Sequence, residues 1–160
     1  MGYQVAVCGP ADCTEAEQLA ARRVGELLAE AGVTVICGGG GGVMSAVAAG
    51  ARARGGLVVG VRPDDSRATA SPDLSVTLVT NMGQARNAII VWSADAVIAI
   101  GGSWGTLSEV ALARRRGGVP VICLNGWKIV DQRDTPLPGI DYVGTPEEAV
   151  RRALAGRGAP

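Results

Sequence analysis

The sequence predicts an α/β protein: a Rossmann-like, doubly wound, mainly parallel sheet flanked by helices. Three observations predict it. Short Val- and Ile-rich runs alternate with longer helical stretches. Most of those runs are apolar throughout rather than alternating, which suits strands buried on both faces of a parallel sheet. The glycines, 24 in all, cluster between the apolar runs, where loops need bare backbone. Strand–helix alternation of this kind implies right-handed βαβ units.

The elements follow in order. The first strand is expected over Gln4 to Cys8. A helix over Thr14 to Ala31 opens with Thr14-Glu15-Ala16-Glu17, a capping-box pattern, and stops at Gly32. Thr34 to Cys37 reads as a strand and Val43 to Arg54 as a helix ended by Gly55-Gly56. Strands are expected over Leu57 to Val61 and Ser75 to Val79, then a helix over Gln84 to Ser93. Ala96 to Ile100 is the next strand, Thr106 to Arg116 the next helix, and Val119 to Leu124 the sixth strand. The last helix begins at Thr145-Pro146-Glu147-Glu148, with a cap, Pro at the first helical position and Glu at the third. The stretches Arg62 to Pro72 and Asn125 to Gly139 are polar and carry Pro or Gly, so both read as loops, the first rimming the site.

The 160 residues have the length of one ordinary domain, assigned to residues 1–155 with 156–160 as a frayed tail. With no Phe, a chain that is 48% hydrophobic must build its core from Val, Ala, Leu and Ile. Fifteen basic residues balance fifteen acidic ones, so the electrostatic footprint of a nucleic-acid binder is missing and no nucleic-acid partner is expected. The Arg114-Arg115-Arg116 run reads as the solvated last turn of a helix. No basic-then-apolar leader and no bilayer-length run is seen, so no membrane partner is expected. Cys8, Cys13, Cys37 and Cys123 form no Cys-x-x-Cys, and the chain has no His, so no metal site is expected. Cys8, Cys37 and Cys123 fall in or beside strand-like runs, where reduced cysteine acts as a small hydrophobe, and the cytoplasm is the natural compartment. Cys13, near the expected ligand edge, either touches a ligand or is a small loop residue.

Two glycine loops carry the chemistry. Gly38-Gly39-Gly40-Gly41-Gly42-Val43-Met44 runs from a buried strand into a helix. So does Gly101-Gly102-Ser103-Trp104-Gly105-Thr106-Leu107-Ser108-Glu109. In open α/β sheets ligands sit beyond the carboxyl ends of the strands. A helix N-terminus there offers free amides and about half a positive charge, and glycine lets a phosphate approach closely. The alternative for the first loop is a flexible turn. Thr106 either caps its helix or gives its hydroxyl to a phosphate. Glu109 is either the capping-box partner of Thr106 or a carboxylate aimed at the ligand. Neither loop has Gly-Lys-Ser/Thr, which excludes a P-loop NTPase, and neither has Gly-x-Gly-x-x-Gly, which argues against NAD.

Three segments, in order and in register, resemble the LOG (Lonely Guy) family and the wider LOG-like (SLOG) superfamily. They are Gly38-Gly39-x-x-Gly42-Val43-Met44, then Arg86-Asn87-Ala88 with Ala94-Asp95-Ala96, then Gly101-Gly102-x-x-Gly105-Thr106-x-x-Glu109. The similarity extends to about Asn125. LOG enzymes have Pro before the second glycine pair and one residue before Gly-Thr; here Ile100 precedes, and Ser103 and Trp104 intervene. Cys37 also stands where LOG enzymes have a further Gly. These departures resemble the branch of molybdenum-cofactor carrier proteins.

The resemblance implies two functions. One is a binding module for a small phosphate-bearing ligand, a nucleotide or a molybdopterin. No resident cofactor is required, and the molybdenum cofactor would be the carried ligand. Gly38 to Gly42, Met44, Gly101, Gly102, Ser103, Gly105 and Thr106 would form its site. Arg86 would add a charge-assisted contact, or else make a surface helix ion pair. Trp104 would stack on a heterocycle, or else pack or make an oligomer contact. The other function is a nucleoside 5′-monophosphate phosphoribohydrolase, in which Glu109 would act on the N-glycosidic bond with help from Arg86. The older label of lysine decarboxylase is rejected. Lys128, the one lysine, is served by no glycine loop. A homodimer or homotetramer is implied by both branches.

Overall fold

The computed structural model describes residues 2–158. Seven strands form one sheet in the order β4-β3-β2-β1-β5-β6-β7, and every pairing is parallel. The strands are β1 (Gln4–Cys8), β2 (Thr34–Cys37), β3 (Val58–Arg62), β4 (Val76–Val79), β5 (Ala96–Ile100), β6 (Val121–Leu124) and β7 (Asp141–Val143). The helices are α1 (Glu15–Glu30), α2 (Val43–Ala53), α3 (Arg86–Trp92), α4 (Trp104–Arg116) and α5 (Pro146–Ala153), with a 3-10 turn at Gly83–Ala85 before α3. This is the doubly wound architecture that the alternation predicts.

The pleat sorts β1 between two cores. Val5 and Val7 face α1, α2 and α5, while Ala6 and Cys8 face α3 and α4. Both faces of the inner strands β5 and β6 are covered, which is why those runs are apolar at every position. The α1–α2 contact is close because Gly25 lies on the backbone of Val47 and Gly50 on that of Arg22, where a β-carbon would collide. α1 carries the full reciprocal cap: Thr14 Oγ1 accepts from Glu17 N and the Glu17 carboxylate accepts from Thr14 N. α5 has Thr145 as its N-cap and Pro146 in its first turn.

The structure changes several boundaries. β6 starts after Pro120, which has no amide to give a ladder. β7 is a three-residue edge strand that the polar reading of the region did not foresee. α4 begins two residues early, at Trp104, because Ser103 rather than Thr106 is its N-cap. The Arg114–Arg116 run is only partly solvated: Arg116 Nη1 donates to the carbonyls of Val91 and Ala94 at the end of α3, at 2.5 and 2.7 Å, and its guanidinium lies 5.1 Å from the Trp92 ring centre. In the C-terminal segment, Arg157 donates to Ala31 O at 2.6 Å, and residues 159–160 lie outside the described ones. Among the described residues no helix is long and apolar enough to cross a membrane.

The winding reverses between β1 and β5. The chain steps from β1 through β2 and β3 to β4 on one side, then returns to β5 beside β1 and continues to β6 and β7 on the other. A crevice opens beyond the carboxyl ends of strands at such a reversal.

Candidate functional site

A cavity of about 210 Å³ lies at that reversal. Its wall takes Cys8 from the end of β1, Gly9, Pro10 and Ala11 from the following loop, and Gly38 and Met44 from the first glycine loop and α2. Gln84, Arg86 and Asn87 come from the approach to α3, and Ser103, Gly105, Thr106 and Glu109 from the second loop and α4. Both glycine loops therefore reach one cavity.

They do so with few of their glycines. Gly38 lines the cavity, and a β-carbon there would run into Arg86 Nη1 and Met44 Sδ. Gly39, at φ +70°, lies on the other side against Arg62, Gly60 and Leu74, and its carbonyl accepts from Ser71 N at 3.0 Å. Gly40 lies under the ends of Arg62 and Met44. Gly41 faces open space. Gly42, at φ +62°, is pressed against the carbonyls of Pro10 and Ala11, and the next amide, Val43 N, already donates to Pro10 O at 3.1 Å. The N-terminus of α2 is thus partly spent on the protein itself.

The second loop divides the same way. Gly101 packs on the Glu17 side chain and Gly102 on the Trp127 indole, both away from the cavity. Ser103 Oγ accepts from Thr106 N at 3.2 Å and lies 3.0 Å from Thr106 Oγ1. The amides of Trp104 and Gly105 stand outside the helix ladder, as the first amides of any helix do. Trp104 is 79% exposed and meets Trp127 edge-on, with ring centres 5.1 Å apart; it does not line the cavity.

Three polar side chains from α3 and α4 close the wall. Arg86 is 8% exposed, and its Nη1 donates to Gly38 O at 2.8 Å and Val61 O at 2.6 Å. The surface ion pair is therefore overturned: the guanidinium ties the ends of β2 and β3 together. Its Nε has no partner among the described residues. Burial lowers its pKa, and Glu109 opposes that. Asn87 is 3% exposed; its Nδ2 donates to Ser108 Oγ at 3.1 Å and its Oδ1 has no partner among the described residues.

Glu109 is 7% exposed. Burial pushes its carboxyl from the ordinary 4.5 up to about 7, against the pull of Arg86 and the Cys8 thiol. The capping-box alternative is overturned as well. With Ser103 as N-cap, Thr106 holds the third helical position, and Glu109 is a turn further on. The Cys8 thiol is pushed well up, first by burial and then by Glu109, so it stays a neutral thiol.

Other candidates fall elsewhere. The segment after β3 covers the outer side of the first loop instead of rimming the cavity: Arg62 is held by Asp64 and by Thr69 Oγ1 at 2.8 Å. Cys13 packs against the α1 side of the core and does not line the cavity. Lys128 lies 5.9 Å from the Tyr142 ring centre, outside the cavity wall. Sequence reasoning gave no role to Cys8, Gln84 or Asn87. Asn87 had a signal, since it sits inside the Arg86-Asn87-Ala88 segment. Cys8 and Gln84 acquire theirs only when the strands are ordered in the sheet.

The model of the SLOG cluster4 family matches residues 2–150. A protein of Archaeoglobus fulgidus is 40% identical over 144 residues, covering 87% of this chain and 93% of that protein. The cytokinin riboside 5′-monophosphate phosphoribohydrolase of Mycobacterium tuberculosis is 37% identical over 147 residues, covering 86% and 79%. Among solved structures, the molybdenum cofactor binding protein of Rippkaea orientalis superposes with a TM-score of 0.86 at 33% identity, covering 94% of each chain. The molybdenum cofactor carrier protein of Chlamydomonas reinhardtii gives 0.79 at 26%, covering 97% and 99%. The single-stranded-DNA-binding DNA processing protein A of Helicobacter pylori gives 0.70 at 15%, covering 95% and 80%, a likeness of fold alone.

Proposed function

The chain belongs to the SLOG cluster4 family, and from that premise we propose that its cavity binds the phosphate end of a small ligand, as a carrier-like module for a molybdopterin-type cofactor or a nucleotide. The observation that carries this reading is the wall itself. The buried Nε of Arg86 and the buried Oδ1 of Asn87 lack partners among the described residues, and Ser103, Gly105 and Thr106 at the start of α4 line the same space. A buried donor or acceptor left unmet costs about 1–3 kcal/mol, so a ligand that meets both gains affinity from a cost already borne. The anion goes to the amides of Trp104 and Gly105, since the Thr106 hydroxyl is taken up by Ser103. Arg86 adds positive charge while holding Gly38 in place.

The cavity of about 210 Å³ is small for an entire cofactor, so it takes the phosphate and the unit next to it. The remaining ring system lies at the rim, where Trp104 is free to stack on it. Carriage needs neither a resident metal nor a prosthetic group. A neutral chain offers nucleic acid little attraction, and we propose none as a partner. We expect a homo-oligomer, because β4 leaves Val76, Leu78 and Val79 exposed at a sheet edge.

One observation favours hydrolysis of a nucleoside 5′-monophosphate. Glu109, at about 7, is poised near neutral pH beside the expected sugar. Breaking the C1′–N bond places positive charge on the sugar; water adds its oxygen to C1′ and the base leaves with a proton. A carboxylate here can stabilise that charge or accept the water's proton. Incubation with AMP separates the readings. Tight binding of AMP or a pterin without turnover is the expected result. Adenine release that disappears in Glu109→Gln would replace carriage with hydrolysis.

A further inference from the structure

Asn87 donates Nδ2–H to Ser108 Oγ at 3.1 Å, and Ser108 Oγ donates to Gly105 O at 2.7 Å. A hydroxyl has one proton, and Ser108 uses it on Gly105. Ser108 therefore accepts from Asn87, and the atom facing it must be the amide nitrogen. This proton count fixes the orientation of the Asn87 amide. Its oxygen is left buried, without a partner among the described residues, in a residue that lines the cavity.

No neighbouring donor meets it. Arg86 Nη1 serves two main-chain carbonyls, Ser108 serves a third, and Arg86 Nε makes no hydrogen bond to it among the described residues. Structures seldom keep an orphaned buried acceptor without a use for it. A leucine of similar size would fill the space with no orphan, so the amide is costly where it stands.

We propose that Asn87 is a specificity-determining residue, whose Oδ1 accepts a hydrogen bond from an O–H or N–H on the unit bonded to the ligand's phosphate arm. The inference rests on the phosphate-site reading above. It makes the cavity selective: a ligand with a phosphate but no donor at that position leaves Oδ1 unmet. For a nucleotide the donor is a sugar hydroxyl; for a pterin it is a ring N–H.

The test is calorimetric titration of the wild-type chain and of Asn87→Leu with AMP, 2′-deoxy-AMP, 3′-deoxy-AMP and purine riboside 5′-monophosphate. The deoxy compounds remove one hydroxyl each, and the last removes the exocyclic amine. In the wild type, one of these deletions should weaken binding roughly tenfold or more, as expected when a polar site loses its partner. In Asn87→Leu the same deletion should cost less than about twofold, because the acceptor has gone. The melting temperature of Asn87→Leu should be equal to that of the wild type or higher, whereas a purely structural asparagine would lower it. If AMP binds but both proteins penalise every deletion equally, the assignment of Asn87 is overturned and the phosphate site stands. If AMP fails to bind the wild type at millimolar concentration, the site reading falls and takes this inference with it.

Discussion

Glu109→Gln should make the protein more stable at pH 8 and leave it unchanged near pH 4.5. The carboxyl is 7% exposed, and burial raises it from 4.5 to about 7. Between those values the folded chain keeps a proton that the unfolded chain has released. Stability from this group is therefore complete below pH 4.5, falls as pH rises through the window, and is gone above about 7. At about 1.4 kcal/mol per pH unit, the interval is worth about 3 kcal/mol. Glutamine mimics the protonated acid at every pH. The difference between variant and wild type should thus grow from near zero at pH 4.5 to about 3 kcal/mol at pH 8. For a chain of this length that is roughly 6–12 °C in Tm. Urea unfolding of both proteins between pH 4.5 and 8.5 measures it, and all other titrations cancel in the difference. A difference that is flat across the range, or that favours the wild type as pH rises, would refute the buried, proton-holding carboxylate.

Four other outcomes are expected. Arg86→Leu, which strands Gly38 O and Val61 O, should destabilise the fold by about 3–5 kcal/mol by denaturant unfolding; Arg86→Lys, with its single ammonium, should recover only part. Gly105→Ala, whose β-carbon meets nothing nearer than Ser103 Oγ at 3.8 Å, should keep or slightly raise helix stability while weakening phosphate binding in calorimetry, since a methyl stands where an anion approaches. Iodoacetamide at pH 8 should label Cys13 alone in the folded protein, because Cys8, Cys37 and Cys123 are buried with raised thiols, and AMP affinity should survive the label. Leu78→Asp, at the exposed β4 edge, should shift the oligomer toward monomer in sedimentation. The decisive negative results are equal loss in both Arg86 variants, full affinity in Gly105→Ala, labelling of a second cysteine, and an unmoved sedimentation coefficient.

The helix caps and apolar runs were legible because their signals are local. Thr14 with Glu17, Thr145 with Pro146, and the run Ala96 to Ile100 each carry their cause within a few residues. β7 was not legible: three residues at a sheet edge, two of them not buried, leave no apolar run. The cavity wall was legible by region but not by atom. Five consecutive glycines read alike in sequence, yet only Gly38 reaches the cavity, because Gly39 and Gly42 serve tight turns and Gly40 lies under longer side chains. Arg86 read as a ligand contact or a surface ion pair, and not as a tie between strand ends, because its two acceptors, Gly38 and Val61, lie 48 and 25 residues away. Valine at Gly39 or Gly102 consequently tests folding more than binding, as one position is left-handed and the other lies on Trp127.

The start of α4 is where the chemistry of this chain is decided. Sequence offered Thr106 as the cap and the structure uses Ser103, and the two choices give different sites. With Thr106 as the cap, Glu109 would have turned back onto the cap's own amide, and the site would hold no free carboxylate. With Ser103 as the cap, Trp104 and Gly105 supply the open amides, and Glu109 becomes the sixth residue of the helix. At 1.5 Å per residue it then stands about 7.5 Å along the axis from the first amide. That separation suits a phosphate at one end and the far side of its attached ring at the other. A carrier and a hydrolase can share this layout, since both must hold the phosphate. What divides them is whether the ligand's ring places a breakable bond beside Glu109 or a stable one. The one extra residue before Gly105 alters this helix at its ligand end, so exchanging Ser103-Trp104 for a single residue is the change most able to move the protein between the two proposed activities.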